Sequence, residues 1–310
     1  MSHGLQILKR PASFNEVIGQ DEAISLLKSM GKAGKMPHFI MFTGPPGCGK
    51  TTLARIVAKK LKCNGDDFTE VNAAEDRGID LVRRIKTQME YRATEGDNRA
   101  WLIDEAHQIT ADASGAFLKI LEDTPDHVYF FFCTTDPQKI KDTIKSRATI
   151  LELKHVGRVE MTKLVERVAG EESISLTEDV TDKIVDIAGG SPRKAMVLLT
   201  QMIGIDDEEE RLDVLQSSDP SRDSIEIARK LINPSTTWKE MSAVLNSIEG
   251  LDEQAESIRY MVLSYMKKVA LGNAKMASRA CEVIELFRDN WYDCKSSGLV
   301  SACFHAIYTD

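Results

Sequence analysis

His38-Phe39-Ile40-Met41-Phe42-Thr43-Gly44-Pro45-Pro46-Gly47-Cys48-Gly49-Lys50-Thr51 decides how the rest of the chain is read. A short apolar run enters Gly-Pro-Pro-Gly, which marks a buried strand ending in a loop. Residues 44–51 fit the pattern G-x-x-x-x-G-K-S/T in full. Thr51–Leu61 follows, with Leu53, Ile56, Val57 and Leu61 on one helical stripe. That strand–loop–helix context separates a phosphate-binding loop from a chance glycine-rich turn. The glycines let backbone N–H groups converge on phosphate oxygens, and the helix N-terminus adds a favourable dipole. Lys50 is placed to reach the β- and γ-phosphates of a nucleotide, and the Thr51 hydroxyl to bind Mg²⁺.

Outward from this loop, strand-like and helix-like segments alternate. Phe68–Val71, Ala100–Ile103 and Val128–Cys133 read as strands, with a last short one at Ile150, Leu151 and Leu153. Ile79–Met89 is helical, with Ile79, Val82, Ile85 and Met89 on one face. Another helix places Ala113, Phe117, Ile120 and Leu121 on its buried side. Strands joined by crossover helices predict a parallel sheet with helices on both faces, the α/β class. Trp101-Leu102-Ile103-Asp104-Glu105 delivers Asp104 to the carboxyl end of a strand, where open α/β sheets bind ligands. Asp104 would hold Mg²⁺ through its water shell, and Glu105 would polarise an attacking water. Beyond residue 153 the strands stop. Residues 157–203 read as helices broken at Gly189-Gly190-Ser191-Pro192, and the acidic run 206–210 as a solvated hinge. Amphipathic helices follow. Their stripes are Trp238, Met241, Val244, Leu245 and Ile248; then Ile258, Met261, Tyr265 and Val269; then Val283, Ile284, Phe287 and Trp291.

The net charge of −8 is unevenly placed: residues 1–153 hold 21 basic and 21 acidic side chains, so the excess lies beyond them. Nucleic acid coated by bulk charge is excluded, and DNA contact must come from a local patch. On the helix from Ile79, Arg83 and Lys86 share adjoining surface with Arg84 beside them; a solvated face is the plain alternative. Six cysteines show no zinc spacing. The apolar stretches fall short of the roughly 20 residues that span a bilayer, and the N-terminus lacks a secretory run. A soluble intracellular protein, with no membrane association, is the expectation.

Arg10-Pro11-Ala12-Ser13-Phe14-Asn15-Glu16-Val17-Ile18-Gly19-Gln20, the loop at 44–51 and Asp104-Glu105-Ala106-His107 together resemble the AAA+ ATPases. The clamp-loader branch is the most similar. Residues 72–83 resemble the small subunits of replication factor C; residues 117–125 and 134–139 resemble the bacterial DNA polymerase III gamma/tau subunit. Ser146-Arg147 and Gly190-Ser191-Pro192-Arg193 continue both. Beyond residue 210 the resemblance rests on size and helicity alone. It implies that Arg10, Val17 and Ile18 border an adenine. Gly47, Cys48, Gly49, Lys50, Thr51 and Thr52 would hold the phosphates, and Thr135 would sense the γ-phosphate or the water. Arg193 would touch the phosphates from the lid, and Arg147 would act in trans as an arginine finger. The helix at 79–89 would track a duplex backbone. Two departures stand out: Ala148 replaces the cysteine of the family's Ser-Arg-Cys triplet, and the zinc module of gamma/tau subunits is absent, so no zinc is expected.

The resemblance implies an AAA+ domain at 1–153, a helical lid at 154–205 and a helical collar-like domain at 206–310. It implies an ATPase subunit of a sliding-clamp loader, cytoplasmic and nucleoid-associated, using ATP and Mg²⁺. It would act with the clamp, with other loader subunits in a pentameric ring, with primer–template DNA and indirectly with DNA polymerase. Compact size and mixed motifs also resemble phage-encoded loader subunits. A DEAH helicase would need a second strand-rich motor domain. A hexameric branch-migration or initiator-type motor would carry a winged-helix domain. A non-hydrolysing structural subunit would not need the full set Lys50, Thr51, Asp104, Glu105 and Arg147.

Overall fold

The computed structural model describes residues 4–248, 250–291 and 294–308, and for 220, 221 and 253 the backbone alone. The chain forms two compact units, Met1–Asp206 and Asp207–Asp310. In the first, α1 (Leu5–Leu8) and α2 (Asp21–Lys32) precede β1 (Phe39–Thr43), α3 (Lys50–Lys60), β2 (Phe68–Asn72) and α4 (Ile79–Met89). Then come β3 (Arg99–Asp104), α5 (Ala111–Glu122), β4 (Val128–Thr134), α6 (Asp142–Lys145) and β5 (Thr149–Glu152). Three helices complete the unit: α7 (Arg158–Glu171), α8 (Glu178–Ala188) and α9 (Pro192–Gln201).

The five strands are parallel, in the order β2-β3-β4-β1-β5. All of β1 is buried. Ile40 and Phe42 pack with Leu53, Ala54 and Val57 on one side of the sheet. Phe39 and Met41 pack with Trp101, Phe117, Phe130 and Phe132 on the other. A parallel strand covered on both faces needs apolar residues at every position, hence the unbroken run. Burying each such Phe contributes roughly 1.5–3 kcal/mol. At the sheet edge β5 relaxes this rule: Leu151 is buried while Ile150 is exposed. The chain leaves β1 for the far edge, returns through β3 and β4, and reaches β5 on the other side of β1. The carboxyl ends of β1, β3 and β4 therefore lie side by side.

Entry into β3 is pinned by Asp67, whose carboxylate accepts from the N–H groups of Thr94, Glu95 and Gly96 and from Arg99. Burial by itself would raise its pKa, but these donors outweigh it and hold it down at about 2. The break at 189–192 ends one helix and starts the next. Gly189 takes φ 56° at the end of α8, Ser191 accepts from the Lys194 N–H, and Pro192 opens α9.

The second unit holds α10 (Glu208–Ser217), α11 (Pro220–Ile232), α12 (Trp238–Ser247), α13 (Leu251–Gly272), α14 (Ala277–Leu286) and α15 (Lys295–Tyr308). Among the described residues it has no strand. One expectation, the stripe on α13, needs correction. The boundary between the two units falls within the exposed acidic run, where Asp207 caps α10 and Glu208–Glu210 form its first turn. Carboxylates there meet unpaired N–H groups and the positive end of the helix dipole. On α13 the fully buried apolar set is Ala255, Ile258, Val262 and Met266, and Met261 faces outward. Tyr265 and Val269 only border that core. Both sets have helical spacing; packing of α13 against α11, α14 and α15 chooses between them. Inside this core Arg259 donates to Glu256 and to the carbonyls of Phe287 and Arg288, while Glu256 also accepts from the Trp291 N–H. The pair closes the C-terminal end of α14. No helix among the described residues is long and apolar enough to cross a membrane.

Candidate functional site

The loop between β1 and α3 is built around glycines. Gly47 and Gly49 take φ of 75° and 107°, and a Cβ on Gly47 would lie 2.2 Å from Ser191 Oγ. Only glycine allows the loop to approach the start of α9 so closely. Lys50 is 7% exposed and its ammonium donates to the carbonyls of Gly44 and Pro45, each at 2.8 Å. Gln20, buried, donates to the carbonyls of Cys48 (3.3 Å) and Lys154 (2.7 Å) and accepts from the Lys154 N–H. It fastens the loop to the segment after β5. The sequence reading missed this role, because a single Gln carries no periodic signal of burial.

From the neighbouring strand ends come the acids. The Thr51 hydroxyl donates to Asp104 Oδ2 at 2.9 Å, and the Glu105 N–H donates to Asp104 Oδ1 at 3.0 Å. Glu105 has φ of +49°, the left-handed region that a non-glycine residue enters at a cost. The Thr135 hydroxyl donates to Glu105 Oε2 at 3.3 Å. Strained backbone and a gripped carboxylate coincide at one residue.

These groups line one cleft, together with Arg10, Val17, Ile18, Thr52 and Arg193. Its basic side chains are Lys9, Arg10, Lys50, Arg167 and Arg193, against Glu16, Asp104 and Glu105. The excess of positive charge suits a polyphosphate. Burial, then the nearby Arg55 and Arg193 charges, lower the Arg10 pKa against the partial support of carboxylates. Ile18, Leu164 and Met196 give the cleft an apolar wall, which suits a flat base. Thr51 and Asp104 offer hard oxygen donors. That pair fits Mg²⁺, which keeps several waters and takes its remaining ligands from phosphates.

Every residue expected to bind nucleotide or act on it within one subunit thus lines this cleft. Arg147 does not. It is exposed, pairs with Glu122 and donates to the Thr143 carbonyl at 2.8 Å. Arg83, Arg84 and Lys86 lie on the exposed face of α4, with Arg83 bound to Asp80 and Arg84 to Asp76. Among the described residues no three His, Cys, Asp or Glu gather as a metal cluster, and burial pushes the Cys63 and Cys303 thiols up to about 12.

The family described as DNA polymerase III, delta subunit, matches residues 66–157, and magnesium chelatase, subunit ChlI, matches residues 13–94. The chain is 32% identical over 217 residues to the DNA polymerase III subunit gamma/tau of Mycobacterium tuberculosis, covering 63% of this chain and 38% of that protein. With the Escherichia coli DNA polymerase III subunit tau it shares 31% over 219 residues, 64% of this chain and 34% of that one. The chain thus spans less than two fifths of these relatives. Replication factor C subunit 4 of Encephalitozoon cuniculi aligns over 294 residues at 26% identity, covering 91% of this chain and 94% of that protein. That alignment extends into the second unit. Among solved structures, the Thermotoga maritima RuvB Holliday junction branch migration motor superposes with TM-score 0.55 at 22% identity, over 87% and 84% of the two chains. This likeness shows the fold alone. The fold is of the AAA+ type, and the homologues are clamp-loader subunits.

Proposed function

We propose, from that homology, that the chain is an ATP-hydrolysing subunit of a DNA sliding-clamp loader. One observation carries the reading: Thr51 and Asp104 pair at the mouth of the phosphate loop while Thr135 grips Glu105 beside them. Lys50 would bind the β- and γ-phosphates, with Gly47, Cys48, Gly49 and Thr52 offering the loop's N–H groups. Thr51 and Asp104 would hold Mg²⁺, which when bound neutralises charge on the phosphate oxygens. Glu105 would orient and deprotonate the attacking water, and Thr135 would sense the γ-phosphate. Arg10, Val17 and Ile18 would border the adenine, and Arg193 would reach the phosphates from the lid.

In this reading residues 1–153 are the AAA+ domain, 154–205 the lid and 206–310 the collar through which subunits join a ring, pentameric by analogy. ATP binding would assemble the ring around primer–template DNA and hold the clamp open; hydrolysis would release the closed clamp, to be used by a polymerase. Arg147, outside its own cleft, would complete a neighbour's. Arg83, Arg84 and Lys86 would meet DNA phosphates, and both clamp and DNA would stimulate turnover in a nucleoid-associated, intracellular assembly. The lack of strands among the second unit's described residues argues against a winged-helix motor. The intact catalytic set argues against a purely structural subunit.

The test is a pair of variants. Glu105→Gln should retain ATP and Mg²⁺ binding yet lower turnover by about 10²–10⁴-fold. Lys50→Ala should lose nucleotide binding itself. Wild-type turnover by Glu105→Gln would show that the base is another group.

A further inference from the structure

His107 sits two residues beyond Glu105, with its side chain only 10% exposed. Its Nδ1 lies 3.0 Å from Thr134 Oγ1 and 3.4 Å from Glu105 Oε2, and its Nε2 lies 3.3 Å from the Gln108 amide nitrogen. These contacts decide which nitrogen holds the proton. An amide nitrogen has only protons to offer, so Nε2 must accept. A carboxylate has only lone pairs to offer, so Nδ1 must donate. Thr134 Oγ1 already accepts from the Asp136 N–H at 3.1 Å and has a second lone pair for Nδ1–H. Both sides of the ring therefore select the same tautomer.

Glu105 Oε2 accepts from the Thr135 hydroxyl just past β4 and lies 3.4 Å from His107 Nδ1, whose own hydrogen bond runs to Thr134 Oγ1 at the end of β4. Among the described residues Oε1 has no hydrogen-bond partner, and it is the oxygen left for a water. We propose that His107, fixed in its Nδ1–H tautomer by Gln108, is a positioning residue that aims Glu105 and couples its orientation to the end of β4. This inference rests on the reading of Glu105 as the base. A base held by Thr135 and flanked by an N–H-bearing ring that is itself anchored to β4 keeps one orientation; without the ring it swings about its side-chain torsions. A displacement near 1 Å at a reacting group costs up to about 10²-fold in rate.

The experiment uses the full chain and has two readouts. Ring ¹⁵N shifts of His107, assigned by their loss in His107→Asn, should show protonated Nδ1 and unprotonated Nε2. An Nε2–H ring would overturn the proposal. Single-turnover hydrolysis of ATP, with protein in excess, should slow about tenfold in His107→Ala while ATP affinity stays within about twofold. His107→Asn places an amide donor near the Nδ1 position and should recover most of the rate. His107→Phe fills the space without a donor and should not. Equal rates for Asn and Phe, a wild-type rate for Ala, or parallel loss of rate and affinity would each overturn it. Failure of the underlying reading is seen separately, as wild-type hydrolysis by Glu105→Gln. In that Glu105→Gln background, His107→Ala should add little, because the two residues act as one unit.

Discussion

Lys50 in the first unit and Arg259 in the second are both buried cations, and they differ in what faces them. Lys50 in the first unit meets two carbonyl oxygens, and among the described residues no carboxylate lies within ion-pair distance. Arg259 in the second unit is bound by Glu256 as well as by carbonyls. A buried charge is tolerated when it is paired. Arg259 is paired within its own unit and serves the packing. Lys50 keeps its charge for an anion that must come from outside. The presence or absence of a counter-ion, more than burial, separates a structural cation from a binding one.

Arg147 is the case that could break this division, since it is exposed and its partner Glu122 is exchangeable. A cation supplied in trans to a transferring phosphoryl group is worth roughly 10³–10⁵ in rate. Arg147→Ala should bind ATP normally alone but fail in a DNA-stimulated assembly. Mixing it with Lys50→Ala subunits, which still carry Arg147, should restore part of the activity. If mixed assemblies form and never exceed either variant, Arg147 does not act across an interface.

Arg259→Ala should lower stability by about 1–3 kcal/mol, because the partly buried Glu256 and the carbonyls of Phe287 and Arg288 lose their donor. Urea unfolding followed by the fluorescence of Trp238 and Trp291 should report that loss, while ATP affinity in the first unit holds. A coupled loss of ATP binding at low denaturant would erase the contrast between the units.

Asp67 extends the comparison to a buried anion. Its depressed pKa means that its stabilisation is complete above the ordinary carboxylate value of 3.8 and fades as pH falls towards about 2. Asp67→Asn should cost about 2 kcal/mol at pH 7, and the gap to wild type should narrow below pH 4. Thermal melts across that range check it, and a gap independent of pH would show that charge is not what Asp67 contributes. The smallest effect belongs to α4. Reversing Arg83 and Lys86 to Glu should reduce the log–log salt slope of DNA-stimulated turnover by about 0.9 per lost phosphate contact. An unchanged slope would leave α4 a solvated face.

Legibility in the sequence divided along the same line. The bounds of α4 and the end of β1 could be read, and β3 and β4 end one residue later than read, because strand chemistry and the phosphate loop each admit few alternatives. The cleft residues followed, since a motif fixes both residue type and position. Gln20 and the Gln108–His107 contact were not readable: a buried polar side chain reveals itself only through partners distant in sequence or through ring orientation. On α13 the difficulty was of another kind. Met261 and Val262 are adjacent and apolar, and a shift of one residue turns a helical stripe by 100°. Only packing from several sides decides which is buried.

The hydrogen bond from the Leu5 N–H to Thr200 Oγ1 spans 195 residues, and Lys9 reaches Glu171 and Glu172 at the C-terminal end of α7. Its consequence is one of timing. At about 5–20 residues per second of synthesis, roughly 10–40 s separate the two ends of that bond. The sheet can pair and the phosphate loop can form while residues 4–9 still await their partner. A nascent chain that has emerged from the ribosome only as far as about residue 153 would present all five strands with the roof of the cleft missing. Competence for the nucleotide is therefore expected late in synthesis, after the strands that shape its floor.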